Sequence, residues 1–270
     1  MTNPNEPLEI DLRAAALLMN PQEIRYLVDT YYGMQDFRIQ ASNEKRAQAK
    51  SGEPGATVLW LAGDFQKKEN RIKSALDVWS RAQPAGKWMH EITGIGPVLA
   101  AGILANIDIE KAPNPAHIWA FAGLDPTQSW KKGEKRPWNA RLKVLCWKLG
   151  ESFVKVSNND NDFYGHVYAK RKEYEQAKNE ACDYRAQAEA SLAAKKFGKD
   201  TEARKWYEQG KLPPARIHLR AERYAVKLFL SHLWQVSWEL KTGKAPGQPY
   251  AIAVLGHSGY IAPPNWPMAA

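Results

Sequence analysis

Two glycines and a proline in the string Ile92-Thr93-Gly94-Ile95-Gly96-Pro97 point to chemistry with an anion. Glycine permits positive φ and lets another backbone approach where a Cβ would block it. Pro97 suits the first position of a helix, because its missing N–H would have no intrahelical partner there. The pattern predicts a helix ending near Ile92, a tight turn, and a second helix opening at Pro97. Ile95 would plug between the two helices. Amides at the start of the second helix lack carbonyl partners and the helix dipole adds positive potential, so the bend can hold a phosphate oxygen. The pattern is a helix-hairpin-helix, with Thr93, Gly94, Ile95 and Gly96 as candidate contacts to a DNA backbone. Such contacts position DNA without reading its sequence. The alternative is a plain glycine-rich connection with no ligand.

Positive charge is concentrated in two stretches. Residues 127–155 hold eight lysines and arginines against two glutamates, and residues 211–227 hold five against one. The whole chain of 270 residues carries +9, so the remainder is close to neutral. A focused positive field fits a polyphosphate, and binding through it should weaken as salt rises. Candidate DNA contacts are Lys131, Lys132, Lys135, Arg136, Arg141, Lys143, Arg216, Arg220 and Arg223. Trp130 and Trp138 flank the loop Lys131–Arg136. Either ring could stack on an exposed base. For Trp138, just after Pro137, anchoring of the loop to the core is the preferred reading.

Other chemistry is thinly supported. The six histidines (His90, His117, His166, His218, His232, His257) include no pair four residues apart and no HExxH motif. Cys146 and Cys182 lack the spacing of a zinc site. Neither a metal nor a cofactor is expected. His232 falls in an apolar helix and reads as a satisfied core or interface residue. Cys146 reads as buried and inert. Two cysteines fit a reducing compartment, and residues 1–20 do not read as a signal peptide, so the expected location is the cytoplasm. No apolar run is long enough for a membrane span.

The elements that must position these residues read as helices throughout. Asn20-Pro21-Gln22-Glu23 is a helix start, with Asn as N-cap and acid in the first turn. Apolar residues at three and four spacing carry that helix to about Lys50. Ser51-Gly52-Glu53-Pro54-Gly55 breaks it, and a second helix runs from about Thr57 to Ala82. The pair predicts an antiparallel hairpin of coiled-coil character, with Lys67, Lys68, Glu69, Arg71 and Lys73 on a solvated face. Further helices are predicted over 87–107, 114–124, 137–157, 161–195 and 199–209, and a long final one over 216–241. Glu173, Glu175 and Glu180 alternate with lysines and read as solvated. Ala251–Leu255 is a weak strand candidate. The expected fold is all-α: an arm at 1–19, a helical hairpin at 20–85, a DNA-binding domain at 86–242 and a Pro/Gly-rich tail at 243–270.

Ile92-Thr-Gly-Ile-Gly-Pro-Val-Leu-Ala-Ala101, then Trp119-Ala-Phe-Ala-Gly-Leu-Asp-Pro126, then a basic loop and a basic helix, resemble the C-terminal domain of bridge-RNA insertion-sequence transposases, relatives of the pilin-gene invertases. The resemblance covers about residues 87–242. It implies a DNA-binding domain of a mobile element or phage. It also implies a preceding RNase H-like domain with four metal-binding acids, but the N-terminal residues here read as helical and none of the four can be placed. The family's nucleophilic serine follows the Gly-Leu-x-Pro motif, usually just before a glycine. Here Lys132 precedes Gly133, and Ser129 is the nearest candidate. Three functions stay open. The first is a DNA-binding protein that is not catalytic alone, gripping duplex, structured or single-stranded DNA. The second is a recombinase subunit using Ser129, with a partner supplying the acids. The third is a homo-oligomer built on the helical hairpin that binds RNA or an acidic protein.

Overall fold

The computed structural model describes residues 11–194, 196–198, 200–246 and 259–268. Among them are eleven α-helices and no strand, as the all-α expectation requires. The strand expected at 251–255 lies outside the described residues. The chain divides into two compact units: Met1–Glu91 with Ile95–Glu110, and Ile92–Gly94 with Lys111–Ala270.

The first unit holds α1 (Leu12–Ala16), α2 (Pro21–Gln48), α3 (Ala56–Ala82), α4 (Gly86–His90) and α5 (Pro97–Asn106). The start of α2 is a full capping box. Asn20 Oδ1 accepts from the amides of Gln22 and Glu23, and Glu23 Oε2 accepts from the amide of Asn20. Contacts between α2 and α3 pair Gln48 with Gly55, Phe37 with Phe65 and Arg38 with Glu69. The partners move apart in opposite directions along the chain, so the two helices are antiparallel. Glu69 does not belong to a solvated face: it is buried, and Arg38 and Gln35 of α2 donate to it. A buried carboxylate needs such partners, and here they come from the facing helix. In α5, Val98, Ala100, Ala101, Gly102, Ile103 and Ala105 are all buried, which marks a helix enclosed on most sides.

The second unit holds α6 (Pro115–Phe121), α7 (Ala140–Val156), α8 (Tyr164–Glu180), α9 (Arg185–Ala194), α10 (Glu202–Glu208) and α11 (Pro214–Thr242). Phe153 of α7 stacks on Tyr164 of α8 at 4.8 Å, and Phe229 of α11 packs against both. Ala221, Ala225, Phe229, His232 and Val236 line the buried face of α11, as their spacing predicts, while Leu228, expected on that face too, is only half-buried.

The single helix predicted over 161–195 is broken. Residues 181–184 form a turn with Cys182 at φ 59°, separating α8 from α9. The break serves Glu175, which is 1% exposed and not solvated as its lysine-rich neighbourhood implied. Arg171 donates to it at 2.6 and 2.8 Å, Arg220 donates at 2.7 Å, and the Tyr184 hydroxyl donates as well. In an unbroken helix, nine residues rise about 13.5 Å. Tyr184 could not then reach Glu175. These donors outweigh the cost of burial and hold the Glu175 carboxyl below the ordinary glutamate value.

His232 is satisfied inside the core. Its Nε2 donates to the Ile261 carbonyl at 2.8 Å, which leaves Nδ1 to accept from the Tyr164 hydroxyl at 2.7 Å. The imidazole is therefore neutral, and burial lowers its pKa from 6.5 to about 4. The unfolded chain takes up this proton first as pH falls. The stability tied to His232 is thus intact above about pH 6.5 and is lost as pH falls through about 4. His232→Leu removes both bonds and strands the Tyr164 hydroxyl. Urea unfolding at pH 7 should show a loss of about 2 to 3 kcal/mol. Stability of the variant should also depend less on pH between 4 and 6.5. An unchanged unfolding midpoint would contradict this account.

Candidate nucleic-acid interface

In the hairpin, Gly94 adopts φ +92°, a conformation that side chains rarely tolerate. A Cβ there would also lie 3.1 Å from Val156 Cγ2. The Gly94 carbonyl accepts from Ser152 Oγ at 2.5 Å, and Thr93 Oγ1 donates to the Asn161 carbonyl at 3.2 Å. Both residues are thereby tied to the second unit. Ile95 is buried, as expected of a plug. Gly96 is the N-cap of α5, is exposed, and has no atom within 4 Å of where its Cβ would be. No side chain caps the first amides of α5. The bend thus has an open approach on one side.

The motif Trp119–Pro126 does its work within the second unit by placing cations. Trp119 Nε1 donates to the Lys227 carbonyl at 3.0 Å, and the Lys227 ammonium lies over the Trp119 ring at 4.0 Å. Gly123 adopts φ +67°, and a Cβ there would lie 2.8 Å from Trp138 Cγ and 3.0 Å from Lys143 Cδ. Only glycine lets the Trp138 ring and the Lys143 stem close over this turn. Lys143 Nζ in turn sits 4.1 Å from the Trp138 ring centroid. Thr127 is occupied locally, its hydroxyl donating to Asp125 at 2.7 Å. Ser129 is exposed and its hydroxyl makes no hydrogen bond among the described residues.

The loop after the motif is ordered by its own contacts. Trp130 Nε1 donates to the Glu134 carbonyl at 2.7 Å, Arg136 lies over the Trp130 ring at 5.0 Å, and Trp130 meets Trp138 edge-on. Lys131, Lys132, Lys135, Arg136 and Arg141 are exposed. Trp138 is half-buried and packs over the Gly123 turn.

A cavity of about 310 Å³ brings the two basic stretches together. Its walls include Gly123, Asp125, Trp138 and Lys143, facing Glu222 and Arg223 of α11. Lys143 and Arg223 line this cavity and remain exposed. Partial burial first, then Arg223 and Arg136, hold the Lys143 ammonium below the ordinary lysine value. Partial burial, then Arg220 and Arg216, lower Arg223 in the same way. Lys227 is lowered by burial and by Arg223, with Asp125 opposing. None of Lys143, Arg223 and Lys227 forms a salt bridge among the described residues. Of the predicted contacts, Arg220 stands apart: it is committed to Glu175 and lies over the Tyr184 ring at 4.4 Å.

Glu222 and Lys227 are not among the residues singled out in the sequence. A signal for Lys227 was present, because Arg216, Arg220, Arg223 and Lys227 follow 4, 3, 4 spacing and so share one helix face. Like charges at that spacing repel, and an anion relieves the repulsion. Glu222 carried no comparable signal of burial.

Residues 87–143 match the model of the transposase IS116/IS110/IS902 family, which supports a transposase-related domain. The match takes in the hairpin, the Trp119–Pro126 motif and the basic loop, and it ends at Lys143. Comparison with curated proteins yields no match for the chain. No helix among the described residues is long and apolar enough to cross a membrane.

Burial first, then Glu151, raise the Glu222 carboxyl from 4.5 to about 7, with Arg223 opposing. The unfolded chain releases this proton first as pH rises. The associated stability is present in full below about pH 4.5 and is lost as pH rises through about 7. Glu222→Gln stays neutral throughout. In chelator at pH 8 the variant should be more stable than the parent by about 2 kcal/mol, and near pH 5 the two should match. Equal stabilities at both values would contradict the assignment.

Proposed function

We propose that the protein binds DNA for a mobile element by holding backbone phosphates, and that it performs no strand chemistry alone. The observation that carries this reading is the gathering of Lys143, Arg223 and Lys227 beside one cavity, none of them in a salt bridge among the described residues, with the Asp125 and Glu222 carboxylates too few to balance them. Phosphate oxygens would supply the missing negative charge. Exposed Lys131, Lys132, Lys135, Arg136, Arg141 and Arg216 extend the same field. The uncapped amides at the start of α5 offer a second phosphate contact, open at Gly96. The transposase-related match over 87–143 fits a DNA partner.

Gel shifts with duplex, four-way junction and single-stranded DNA test the reading. Each phosphate contact adds about 0.9 to the slope of log affinity against log salt on duplex DNA. Replacing Lys143, Arg223 and Lys227 by alanine should lower that slope by about 2 to 3. Gly96→Trp should weaken binding while leaving helical content unchanged. A parent protein that binds no DNA at low salt would end the proposal, and so would one that nicks supercoiled plasmid with magnesium as sole addition. Preferential binding of RNA over all three DNAs would replace it with an RNA-binding role.

Self-association through the α2–α3 hairpin belongs to the same reading. Leu59 and Trp60, adjacent near the start of α3, are exposed on it, with Trp60 at 66%. Large apolar side chains grouped on a surface favour a protein partner. Light scattering should show an oligomer that Trp60→Glu reduces to monomer. A monomeric parent at high micromolar concentration would refute it.

A further inference from the structure

Glu151 of α7 and His218 and Glu222 of α11 each present one ligand atom, and these atoms all lie within 4.8 Å of one another. His218 and Glu222 are four residues apart, so they stand one turn apart on the same face of α11. Their nearest atoms, His218 Nε2 and Glu222 Oε2, are 3.7 Å apart. Ligands bound to zinc at 2.0 to 2.2 Å in a tetrahedron stand roughly 3.4 Å apart, so this pair is close to coordinating separation.

Glu222 points to a ligand on separate grounds. Its residue is 4% exposed, and Oε2 is buried with no hydrogen-bond partner. A buried carboxylate oxygen without a donor is costly unless a proton or a cation meets it. The backbone makes room for this carboxylate, since a Cβ on Gly150 would lie 2.2 Å from Glu222 Oε1. His218 is prepared in the way of a metal ligand. Its Nδ1 is hydrogen-bonded to the Tyr168 hydroxyl at 2.8 Å, which orients the ring and leaves Nε2 facing Glu222. Ring nitrogens opposite a metal are regularly held by such an outer partner. His218 and Glu151 are only partly buried, so an ion and its water have a path in.

We propose that Glu151, His218 and Glu222 form a binding site for a zinc-class divalent cation, joining α7 to α11. The imidazole selects a transition metal over magnesium, which prefers oxygen ligands and water. Three protein ligands leave one tetrahedral position for water. The ion would stand beside the Arg223 end of the cavity and strengthen its attraction for anions.

The test uses the full chain, stripped with chelator and titrated with zinc chloride against a chromogenic zinc indicator at pH 7.5. One zinc per chain should bind with a dissociation constant of about micromolar or tighter, and melting temperature should rise with it. Millimolar magnesium should not raise it. Glu222→Gln and His218→Ala should each lose that one equivalent, while Cys182→Ser and His117→Ala retain it. Tyr168→Phe should weaken binding by about tenfold through the loss of ring orientation. Circular dichroism of each variant separates loss of the site from loss of the fold. Glu151→Ala at the accessible rim serves if His218→Ala fails to fold. Zinc binding of equal number and affinity in the parent and in these ligand variants would overturn the proposal, as would no binding by the parent at tens of micromolar. Glu222 would then be a buried acid with no metal to hold. Neither outcome overturns DNA binding by the cation cluster.

Discussion

Lys143, Lys227 and Arg136 each rest on a tryptophan ring and not on a carboxylate. The difference governs the character of the second unit. An aromatic face attracts a cation through its quadrupole and fixes its position, yet carries no net charge to cancel it. A salt bridge would fix the same side chain and neutralise it. Three tryptophans therefore hold cations in place while leaving their field available to an outside anion. The Trp119–Pro126 motif is the frame for two of them, through the Trp119 indole and the side-chain-free turn at Gly123.

Arg220 shows the opposite treatment on the same helix. It stands between Arg216 and Arg223 in the spacing pattern, yet its guanidinium is turned to Glu175 and Tyr184. Here the charge is neutralised and the reward is structural: α8, the turn at 181–184 and α11 are joined through one carboxylate. Arg220 thus closes the fold, whereas Arg216, Arg223 and Lys227 on the same helix form no salt bridge among the described residues. Composition alone counts them together.

Much of the architecture was legible. Asn20-Pro21-Gln22-Glu23 announced a helix start because capping is a local matter, settled within four residues. The glycines and Pro97 announced the bend for the same reason, and the periodicity of α11 marked its buried face. What escaped was set by distant partners. Glu69 and Glu175 looked solvated among lysines, but Arg38 and Arg220 meet them from 31 and 45 residues away. The turn at 181–184 lacks glycine and proline, so nothing local signalled it. His218 has no second histidine at helical spacing to mark it as a ligand, and Glu151 joins His218 and Glu222 only once α7 lies beside α11. At the candidate interface, the sequence named both basic stretches; that they share a cavity became visible only in the packing.

Crowding like charges at Lys143, Arg223 and Lys227 has a consequence for the protein on its own. Their mutual repulsion is carried by the folded chain whenever no counter-ion is present, and the unfolded chain, with the same residues spread apart, is spared most of it. A polyanion that settles among them removes the repulsion only from the native form. By mass action such a ligand shifts the folding equilibrium, so the isolated chain is the less durable of its two states.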